Sequence, residues 1–255
     1  MPKLSVVIIT LNEEKNIGRC LESLKDLADE IVLVDSYSND KTVEIALSYG
    51  ARIIQHPFEN FVKQKNFADT QAKYDHILSL DADEVLSEDL YHSIKEVKET
   101  WNFDGYTLDR ITNYCGKWIK HCGWYPDQKI RLYDRRKASW KGMRIHESLE
   151  LSPEALHSTL KGVLFHYSYN SISEHIRQAD RFTSFTALDA FEKGKKISYF
   201  GLWLKPKFKF FRDFILKRGF LDGYYGYVVC KISAHATFLK CTKIRELHKN
   251  SLRLK

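Results

Sequence analysis

Three carboxylates within four residues close an apolar stretch of the chain, Leu78 to Glu84, which has the sequence LSLDADE. Asp81 and Asp83 are separated by one alanine, so both can present oxygens to a divalent cation, directly or through water. Mg²⁺ and Mn²⁺ favour such ligands and keep positions open for phosphate oxygens. The alternative is that these acids solvate a strand end or cap a helix beginning near Ser87.

A further carboxylate, Asp35, ends a second apolar stretch, EIVLVD. A carboxylate in such a place can accept hydrogen bonds from a uracil ring or a ribose hydroxyl. It can equally form an Asx turn with the backbone that follows it. Together with Asp81 and Asp83, Asp35 predicts a pocket for a nucleotide diphosphate.

Alternating strands and helices are predicted around these acids. Val6 to Ile9 is a β-branched run, typical of a strand buried on both faces. EIVLVD, RIIQ and HILSL repeat the signal, and stretches with apolar residues at helical spacing separate them. We therefore predict a mostly parallel, doubly wound α/β sheet. Its strands should end along one edge, which would carry Asp35 and residues 81–84.

Single residues predict where the helices begin and end. Asn12 is a predicted N-cap, followed by two glutamates that suit the first helical turn. Gly50 is a predicted C′ residue, and Ser87 a second N-cap. Residues 60–73 are predicted to form a helix.

The alternation stops beyond Phe103. DGYTLDRIT, QKIRLYD and VLFHYS predict strands without intervening helices, which indicates antiparallel additions over the same edge. Ser171 and Glu174 then form a capping-box pattern that predicts a long helix running to Gly194.

Composition limits the class of protein. The chain has 255 residues and 44% hydrophobic content, enough for one large domain with or without an appendage, and this excludes a disordered or fibrous protein.

Its five cysteines match no disulfide framework and predict reduced thiols in a cytosolic protein. Cys115, Cys122 and His121 lack the second ligand pair that a zinc site needs. The opening residues predict a first strand and not a signal peptide.

Charge is divided along the chain. From Lys195 onward, 15 Lys and Arg stand against three acids, whereas residues 1–194 hold 25 basic and 30 acidic residues. Seven aromatic residues lie among the first basic residues, between Tyr199 and Phe214. No apolar run approaches the ~20 residues of a spanning helix. We predict that this region lies among lipid headgroups, with its cations on anionic phosphates.

The basic region has two other interpretations. Basic and aromatic residues together can bind single-stranded nucleic acid. No stretch resembles an RNA-binding module, so no nucleic-acid partner is predicted. The aromatic residues can also pack a helical subdomain, and such packing is compatible with membrane docking.

Longer motifs, taken in order, make the chain resemble a known family. LSVVIITLNEEKNIGRCLESL, EIVLVDSYSNDKTVEIA, KQKNFA and LSLDADE resemble the family 2 glycosyltransferases with the GT-A fold, over residues 4–100. KWIKHCGWYPDQKIRLYDRR, HESL, LFHYSY and GFLDGYYGYV resemble a narrower branch, the lipopolysaccharide core glucosyltransferases and their relatives. With these motifs the resemblance spans nearly the whole chain.

The resemblance implies a nucleotide-diphosphate-sugar donor, expected to be a UDP-sugar, a divalent cation (Mg or Mn), and inversion at the anomeric carbon. It also implies donor-binding positions, which are Thr10, Asn12 and Glu13 in the first loop, Asp35 at the base or ribose, Lys65 and Asn66 on a helix, and the D-x-D pair Asp81 and Asp83. Both aspartates are metal ligands in this interpretation, and Asp81 also contacts the donor. Lys65 stands where many members have Arg, which keeps the charge but not the bidentate fork.

Inversion by direct displacement needs a general base beside the acceptor hydroxyl. The candidate is Asp127 in GWYPD, where Trp124 and Tyr125 could stack on the acceptor sugar. The alternative is that Asp127 forms an ion pair with Lys129 or Arg131.

Glu147, in the sequence IHES, is the rival for the base. Its neighbour His146 is a third candidate metal ligand, with a structural role as the alternative. Four arginines could contact a phosphorylated acceptor or form a solvated basic face: Arg131, Arg135, Arg136 and Arg144.

The predicted organisation is a GT-A catalytic domain over residues 1–194, with the nucleotide-sugar half in 1–100 and the acceptor half in 101–194, and a helical membrane-associating region over 195–255. The predicted reaction moves a hexose, glucose by resemblance, to a lipid-linked glycan such as lipopolysaccharide core at the cytoplasmic face of the inner membrane. One alternative is a nucleotidyltransferase, although TLNEEKN has no glycine before Gly18. The other is a non-catalytic membrane-surface protein with a vestigial site.

Overall fold

The computed structural model describes residues 1–143 and 146–253. The chain forms two compact units. The first comprises residues 1–111 and 127–167, and the second comprises residues 112–126 and those from 168 onward. The predicted boundary at residue 194 is a different division and stays a prediction.

The first unit begins with the predicted alternation of strands and helices. Strands β1, β2, β3 and β4 alternate with helices α1, α2 and α3 in the order β1 Leu4–Thr10, α1 Ile17–Glu22, β2 Glu30–Asp35, α2 Thr42–Ser48, β3 Arg52–Gln55, α3 Phe61–Gln71 and β4 His76–Asp81. The strands lie in the order β3-β2-β1-β4, and all their pairings are parallel. The prediction of a parallel α/β core is confirmed.

Antiparallel strands extend this sheet, as predicted for the chain beyond Phe103. The added elements are β5 Glu84–Leu86, α4 Glu88–Thr100, β6 Gly105–Tyr114, β7 Lys117–Ile119, β8 Asp127–Asp134, β9 Ala138–Met143, β10 His146–Leu151 and β11 His157–Tyr169. The sheet continues from β4 as β8-β6-β11-β5, with β8 antiparallel to β4 and to β6. A separate hairpin of β9 and β10 completes the strands of the described chain.

The core of the first unit covers both faces of the parallel strands. Val6 and Ile8 of β1 pack in one apolar cluster, which includes residues of α1 and α4. Val7, between them, packs in a second cluster with Ala68 of α3. Alternation with a period of two therefore buries β1 on both sides, which explains its uninterrupted apolar sequence.

Two predicted helix boundaries are confirmed and one is wrong. Ser87 accepts a hydrogen bond from the Leu90 N–H and caps α4, and Gly50 follows α2 with a φ of 74°. Asn12 is not an N-cap, because α1 begins only at Ile17. Asn12 instead has a φ of 56° in the loop after β1, where Asn tolerates the left-handed conformation.

The second unit is mainly helical. It contains α5 Ile172–Glu192, α6 Tyr199–Phe211, a π-helical turn at Arg212–Leu216, a 3₁₀ turn at Gly219–Asp222 and α7 Gly223–Arg253. The Ser171 hydroxyl accepts from the Glu174 N–H, which confirms the predicted cap of α5. Both α5 and α6 pack along α7.

Helix α6 is exposed over most of its surface, and none of its residues is buried. Tyr199 is 79% exposed and Trp203 59%. Among the described residues, no helix has the length and apolar character needed to cross a bilayer.

Candidate active site

The parallel register aligns three strand ends in the first unit. Thr10 at the end of β1 pairs with Asp35 at the end of β2. On the other side of β1, Ile9 pairs with Asp81, the last residue of β4. The prediction that the acids share one edge is therefore met by backbone pairing, and the loops that follow these strands begin side by side.

The loop after β1 is tied to the loop after β2. The Asn12 N–H donates to Ser38 Oγ at 2.8 Å, and Asn12 Oδ1 accepts from the Asn39 N–H at 2.9 Å. The Glu13 N–H donates to Thr42 Oγ1 at 2.7 Å. These bonds fix the predicted nucleotide-binding loop in a defined shape, with Asn12 at its exposed tip.

Glu13 and Thr10 carry unusual polar groups in this loop. Burial raises the pKa of the Glu13 carboxyl to about 7, and the negative charge of Asp83 adds to the rise, although a hydrogen bond from Asn16 opposes it. Thr10 Oγ1 is buried and has no hydrogen-bond partner among the described residues. Both groups therefore suit a ligand that supplies a hydrogen-bonding partner or positive charge.

Asp35 is completely buried, and its side chain turns back to the chain that follows. Its two oxygens accept from the Ser38 N–H, at 3.0 Å, and from the Ser38 hydroxyl. This is the Asx-type arrangement that the structural alternative predicted. The base or ribose contact of Asp35 stays a prediction.

Lys65 on α3 brings a cation to the end of β4. Its side chain is only 1% exposed, and Nζ lies 2.8 Å from Asp81 Oδ1 and 3.7 Å from Glu147 Oε1. Nζ also lies 4.6 Å from the centre of the Trp140 ring. Lys65 is therefore a buried ammonium held between the Asp81 and Glu147 carboxylates and the Trp140 ring.

Asn66, the next residue, binds the backbone of β9. Its amide donates to the Trp140 carbonyl at 2.9 Å and accepts from the Trp140 N–H at 3.1 Å. These two bonds fasten α3 to the strand that carries Trp140. The donor contact predicted for Asn66 stays a prediction.

Asp81 is paired through both of its oxygens. Oδ1 faces Lys65, and Oδ2 accepts from Arg131 Nη2 at 2.8 Å. Burial alone would raise the pKa of this carboxyl, but the charges of Lys65 and Arg131 outweigh burial and lower the pKa below its ordinary value. Asp81 therefore remains ionised although its side chain is only partly exposed.

Asp83 lies beside a histidine that sequence reasoning did not select. His166 Nε2 of β11 is 3.2 Å from Asp83 Oδ2. Burial acts to lower the pKa of His166, but the Asp83 carboxylate outweighs it and the pKa is raised. The candidate third ligand had been His146, whose side chain lies outside the described residues, as does Arg144. The motif LFHYSY contains His166, but its position beside Asp83 follows only from the pairing of β11 with β5.

Glu84, the third acid of LSLDADE, is the hub of a buried charge network. Oε1 accepts from Arg110 Nη1 and from Arg131 Nη2, each at 2.9 Å. Oε2 accepts from the Asp81 N–H at 3.0 Å. Sequence reasoning gave Glu84 no role in the site and missed both arginines in this function.

Asp127, the candidate base, stands at the far end of this network. Oδ2 accepts from Arg110 at 2.6 and 2.9 Å, and Oδ1 lies 3.1 Å from Lys129 Nζ. Burial would raise its pKa, but Arg110 and Lys129 lower it. Pairing with Lys129 was one of the predicted alternatives, whereas Arg131 pairs with Asp81 and Glu84. The rival base, Glu147, lies 3.7 Å from Lys65, and its charge also acts on Arg131.

The two aromatic residues predicted to stack on the acceptor belong to the second unit. Trp124 packs among Tyr114, Tyr169 and His175, with ring centres 5.7–5.9 Å apart. Tyr125 follows it and precedes a cis peptide bond to Pro126. Trp124 thus contributes to the core of this unit, and its role in acceptor stacking stays a prediction.

Comparison with known proteins identifies the family. The model described as Glycosyl transferase family 2 matches residues 5–147. An uncharacterised glycosyltransferase of Rickettsia typhi is 34% identical over 97% of this chain and 88% of its own length. The chain is a family 2 glycosyltransferase. Of the alternatives that the sequence left open, family membership selects glycosyl transfer.

Two further similarities cover almost the whole glycosyltransferase. LpsC of Rhizobium meliloti, named a lipopolysaccharide core biosynthesis glycosyltransferase, is 28% identical over 97% of this chain and 94% of its own length. The crystal structure of Staphylococcus aureus TarS residues 1–349 covers 97% of this chain and 92% of that chain, with 16% identity and a TM-score of 0.47. The architecture of the first unit, a parallel core extended by antiparallel strands, is that of the GT-A fold.

A divalent cation is the group that this fold family implies, and two side chains at the strand edge are of types that hold one. Asp83 and His166 place a carboxylate beside an imidazole, and Mg²⁺ sites in nucleotide enzymes combine one or two carboxylates with substrate phosphates. Within residues 1–143 and 146–253, no group of three His, Cys, Asp or Glu is arranged to hold a metal. Phosphate oxygens of a donor would therefore complete the coordination.

Proposed function

We propose that this glycosyltransferase is metal-dependent and inverting, and that it moves a hexose, preferably glucose, from a UDP-sugar to a hydroxyl of a lipid-linked glycan such as lipopolysaccharide core. The observation that carries the proposal is the juxtaposition of Asp81 with the buried cation Lys65 at the end of β4, two residues before Asp83. This edge of the sheet therefore offers carboxylates that can bind a metal and an ammonium that can bind phosphate. A sugar diphosphate donor needs both.

The donor would lie against the ends of β1, β2 and β4. Asp35, which is buried and bonded to Ser38, would contact the base or ribose once that turn opens, and the loop at Asn12 and Glu13 borders the same edge. Lys65 would move from Asp81 towards the diphosphate, exchanging one anionic partner for another. A cation that is desolvated before the donor arrives interacts with phosphate more strongly than one in water.

Asp83 and His166 are the adjacent pair that would hold the metal, and Asp81 would join them on leaving Lys65. When bound, a divalent cation stabilises the negative charge of the departing diphosphate. Asp81 is already ionised, since Lys65 and Arg131 lower its pKa. The carboxylate therefore needs no deprotonation before binding.

The acceptor hydroxyl must lose its proton as its oxygen bonds to the anomeric carbon and the nucleoside diphosphate leaves with the electron pair. We place Glu147 ahead of Asp127 as the base. Both oxygens of Asp127 are engaged by cations that lower its pKa, which weakens it as a proton acceptor. Glu147 is half-buried and lies beside Lys65, next to the donor edge.

The base assignment has a direct test. Glu147→Gln should abolish transfer to acceptor while donor binding is retained, and Asp127→Asn should leave measurable transfer. Calorimetry with UDP measures donor binding, and product formation measures transfer. Loss of transfer in Asp127→Asn alone would return the role to Asp127.

The acceptor class is supported by the LpsC similarity and by the second unit. LpsC is named for lipopolysaccharide core biosynthesis, and such an acceptor is anchored in a membrane. Helix α6 exposes Tyr199, Phe200, Trp203 and Phe208, and the Lys207 ammonium lies 3.6 Å from the centre of the Trp203 ring. Exposed aromatic residues with adjacent cations suit the headgroup region of an anionic bilayer. The proposed location is therefore the cytoplasmic face of the inner membrane.

Vesicle flotation tests this contact. The protein should float with vesicles that contain phosphatidylglycerol and much less with neutral ones. Trp203→Ala with Phe208→Ala should reduce flotation, whereas Phe58→Ala, at an exposed aromatic position of the first unit, should not. Equal flotation of all these proteins would contradict the proposal.

Donor use is tested with a panel of nucleotide sugars, with and without Mn²⁺. UDP-glucose should be consumed only with metal, and Asp83→Asn should remove the metal-dependent turnover. Asp89→Asn, at an exposed position of α4, is the matched control. Full metal-dependent turnover by Asp83→Asn would refute the mechanism.

A further inference from the structure

Glu84 is the most deeply buried carboxylate at the end of β4, and the reaction as proposed does not use it. Its side chain is 0% exposed. A buried carboxylate is costly unless its oxygens are paired. Glu84 meets this requirement with two guanidinium groups and one backbone N–H, from Arg110, Arg131 and Asp81.

Arg131 connects Glu84 to the donor edge through a single nitrogen. Its Nη2 lies 2.8 Å from Asp81 Oδ2 and 2.9 Å from Glu84 Oε1, so the two carboxylates share it. Because Glu84 shares Arg131 Nη2, Arg131 does not form a bidentate pair with Asp81. Glu84 also binds the Asp81 backbone N–H, which fixes the start of the Asp81–Asp83 turn.

The network also sets the charge next to the proposed metal ligands. Arg110 and Arg131 both approach Glu84, and Lys65 approaches Asp81 from the other side. Without the charge of Glu84, cations would dominate around Asp81. In a buried region each unit charge acts over several ångströms, because solvent screens it little.

We infer that Glu84 is a positioning residue for the metal site, which holds Arg131 away from full engagement with Asp81 and offsets the arginine charges so that a divalent cation can bind. This inference rests on the proposed function, since it concerns the cation of the same site. The inference predicts that Glu84 and Arg110 have opposite effects on cation affinity. Removing the Glu84 carboxylate should weaken cation binding, and removing the Arg110 guanidinium should strengthen it.

The experiment measures binding and not turnover. Calorimetry at constant pH determines the affinity for Mn²⁺ in the presence of UDP, and the affinity for UDP without metal. Glu84→Gln should weaken Mn²⁺ binding about tenfold and leave metal-free UDP binding unchanged or tighter. Arg110→Gln should tighten Mn²⁺ binding. Glu84→Asp, which keeps the charge, should retain more Mn²⁺ affinity than Glu84→Gln.

Glu88→Gln is the matched control, because Glu88 lies four residues further on with a side chain that is 91% exposed. It should change neither affinity. A merely structural role for Glu84 and Arg110 predicts a different result, in which both substitutions weaken both ligands. If Glu84→Gln does not fold, as judged by circular dichroism, the sign of the Arg110→Gln effect decides.

The outcomes separate this inference from the proposed function. Unchanged Mn²⁺ affinity in Glu84→Gln, or weaker Mn²⁺ binding in Arg110→Gln, overturns the inference while donor use stands. If wild-type protein binds UDP but no Mn²⁺, the inference and the metal dependence fail together. If it binds neither, the proposed function fails as well.

Discussion

Asp69 on α3 should make the stability of the protein depend on pH. The residue is 7% exposed, and both carboxyl oxygens lie within 2.9 Å of the Tyr133 hydroxyl. Burial raises the pKa of Asp69 from 3.8 to about 7, although the hydrogen bond from Tyr133 opposes the rise. Between these two pH values the folded protein holds a proton that the unfolded chain has released.

The sign and size of the effect follow from this difference. A folded-state pKa that is higher than the unfolded value gives stability that is fully present below about pH 4 and is lost as pH rises through about 7. About three pKa units correspond to a loss of about 4 kcal/mol in the free energy of unfolding across that range. Asparagine at position 69 cannot ionise, so the free energy of unfolding of Asp69→Asn should lack this dependence on pH.

Urea unfolding of the wild type and Asp69→Asn at pH 4.5, 6 and 7.5 measures the effect. The stability of the wild type relative to Asp69→Asn should fall steadily with pH, because other titrating groups cancel in the comparison. Asp89→Asn, at an exposed position of α4, gives the background. A difference between wild type and Asp69→Asn that stays constant across this range would refute the reasoning.

Two further predictions concern stability. Arg131→Met leaves the buried Glu84 and the partly buried Asp81 short of a partner and should cost about 3–5 kcal/mol. Arg177→Met, at an exposed position of α5, should cost under about 1 kcal/mol, and equal costs in denaturant unfolding would contradict the importance of the network. Gly226→Ala would place a Cβ atom 2.0 Å from the Gly219 carbonyl oxygen and should lower the melting temperature by several degrees, about what a loss of 1–3 kcal/mol produces. Gly18→Ala, where the nearest atom is 3.6 Å away, should leave the melting temperature unchanged or raise it, and similar losses in both variants would argue against close packing at Gly226.

The parallel core was predictable because its signals are local. Val6 to Ile9 and EIVLVD carry uninterrupted apolar runs, and the acids stand where these strands end. Parallel pairing then brings Asp35 and Asp81 to one edge without further information. Ser87 and Ser171 were also predictable, because a cap bonds to a residue only three positions away.

The partners of the acids were not predictable in the same way. Arg131 is 50 residues from Asp81 along the chain, and Arg110 is 26 residues from Glu84. Spacing along a sequence does not indicate which side chains meet across a sheet. Asn12 failed as an N-cap for a similar reason, since it is engaged by the loop after β2 and α1 begins only at Ile17.

Trp140 gives the donor edge a built-in optical probe. Its indole lies 4.6 Å from Lys65 Nζ and 5.6 Å from the Arg131 guanidinium, and its Nε1 donates to the Tyr133 hydroxyl at 3.1 Å. The emission of an indole shifts with the charges near its ring, so any ligand that draws Lys65 away would change the fluorescence of Trp140. With the other four tryptophans replaced by phenylalanine, donor arrival could be followed in real time without a label.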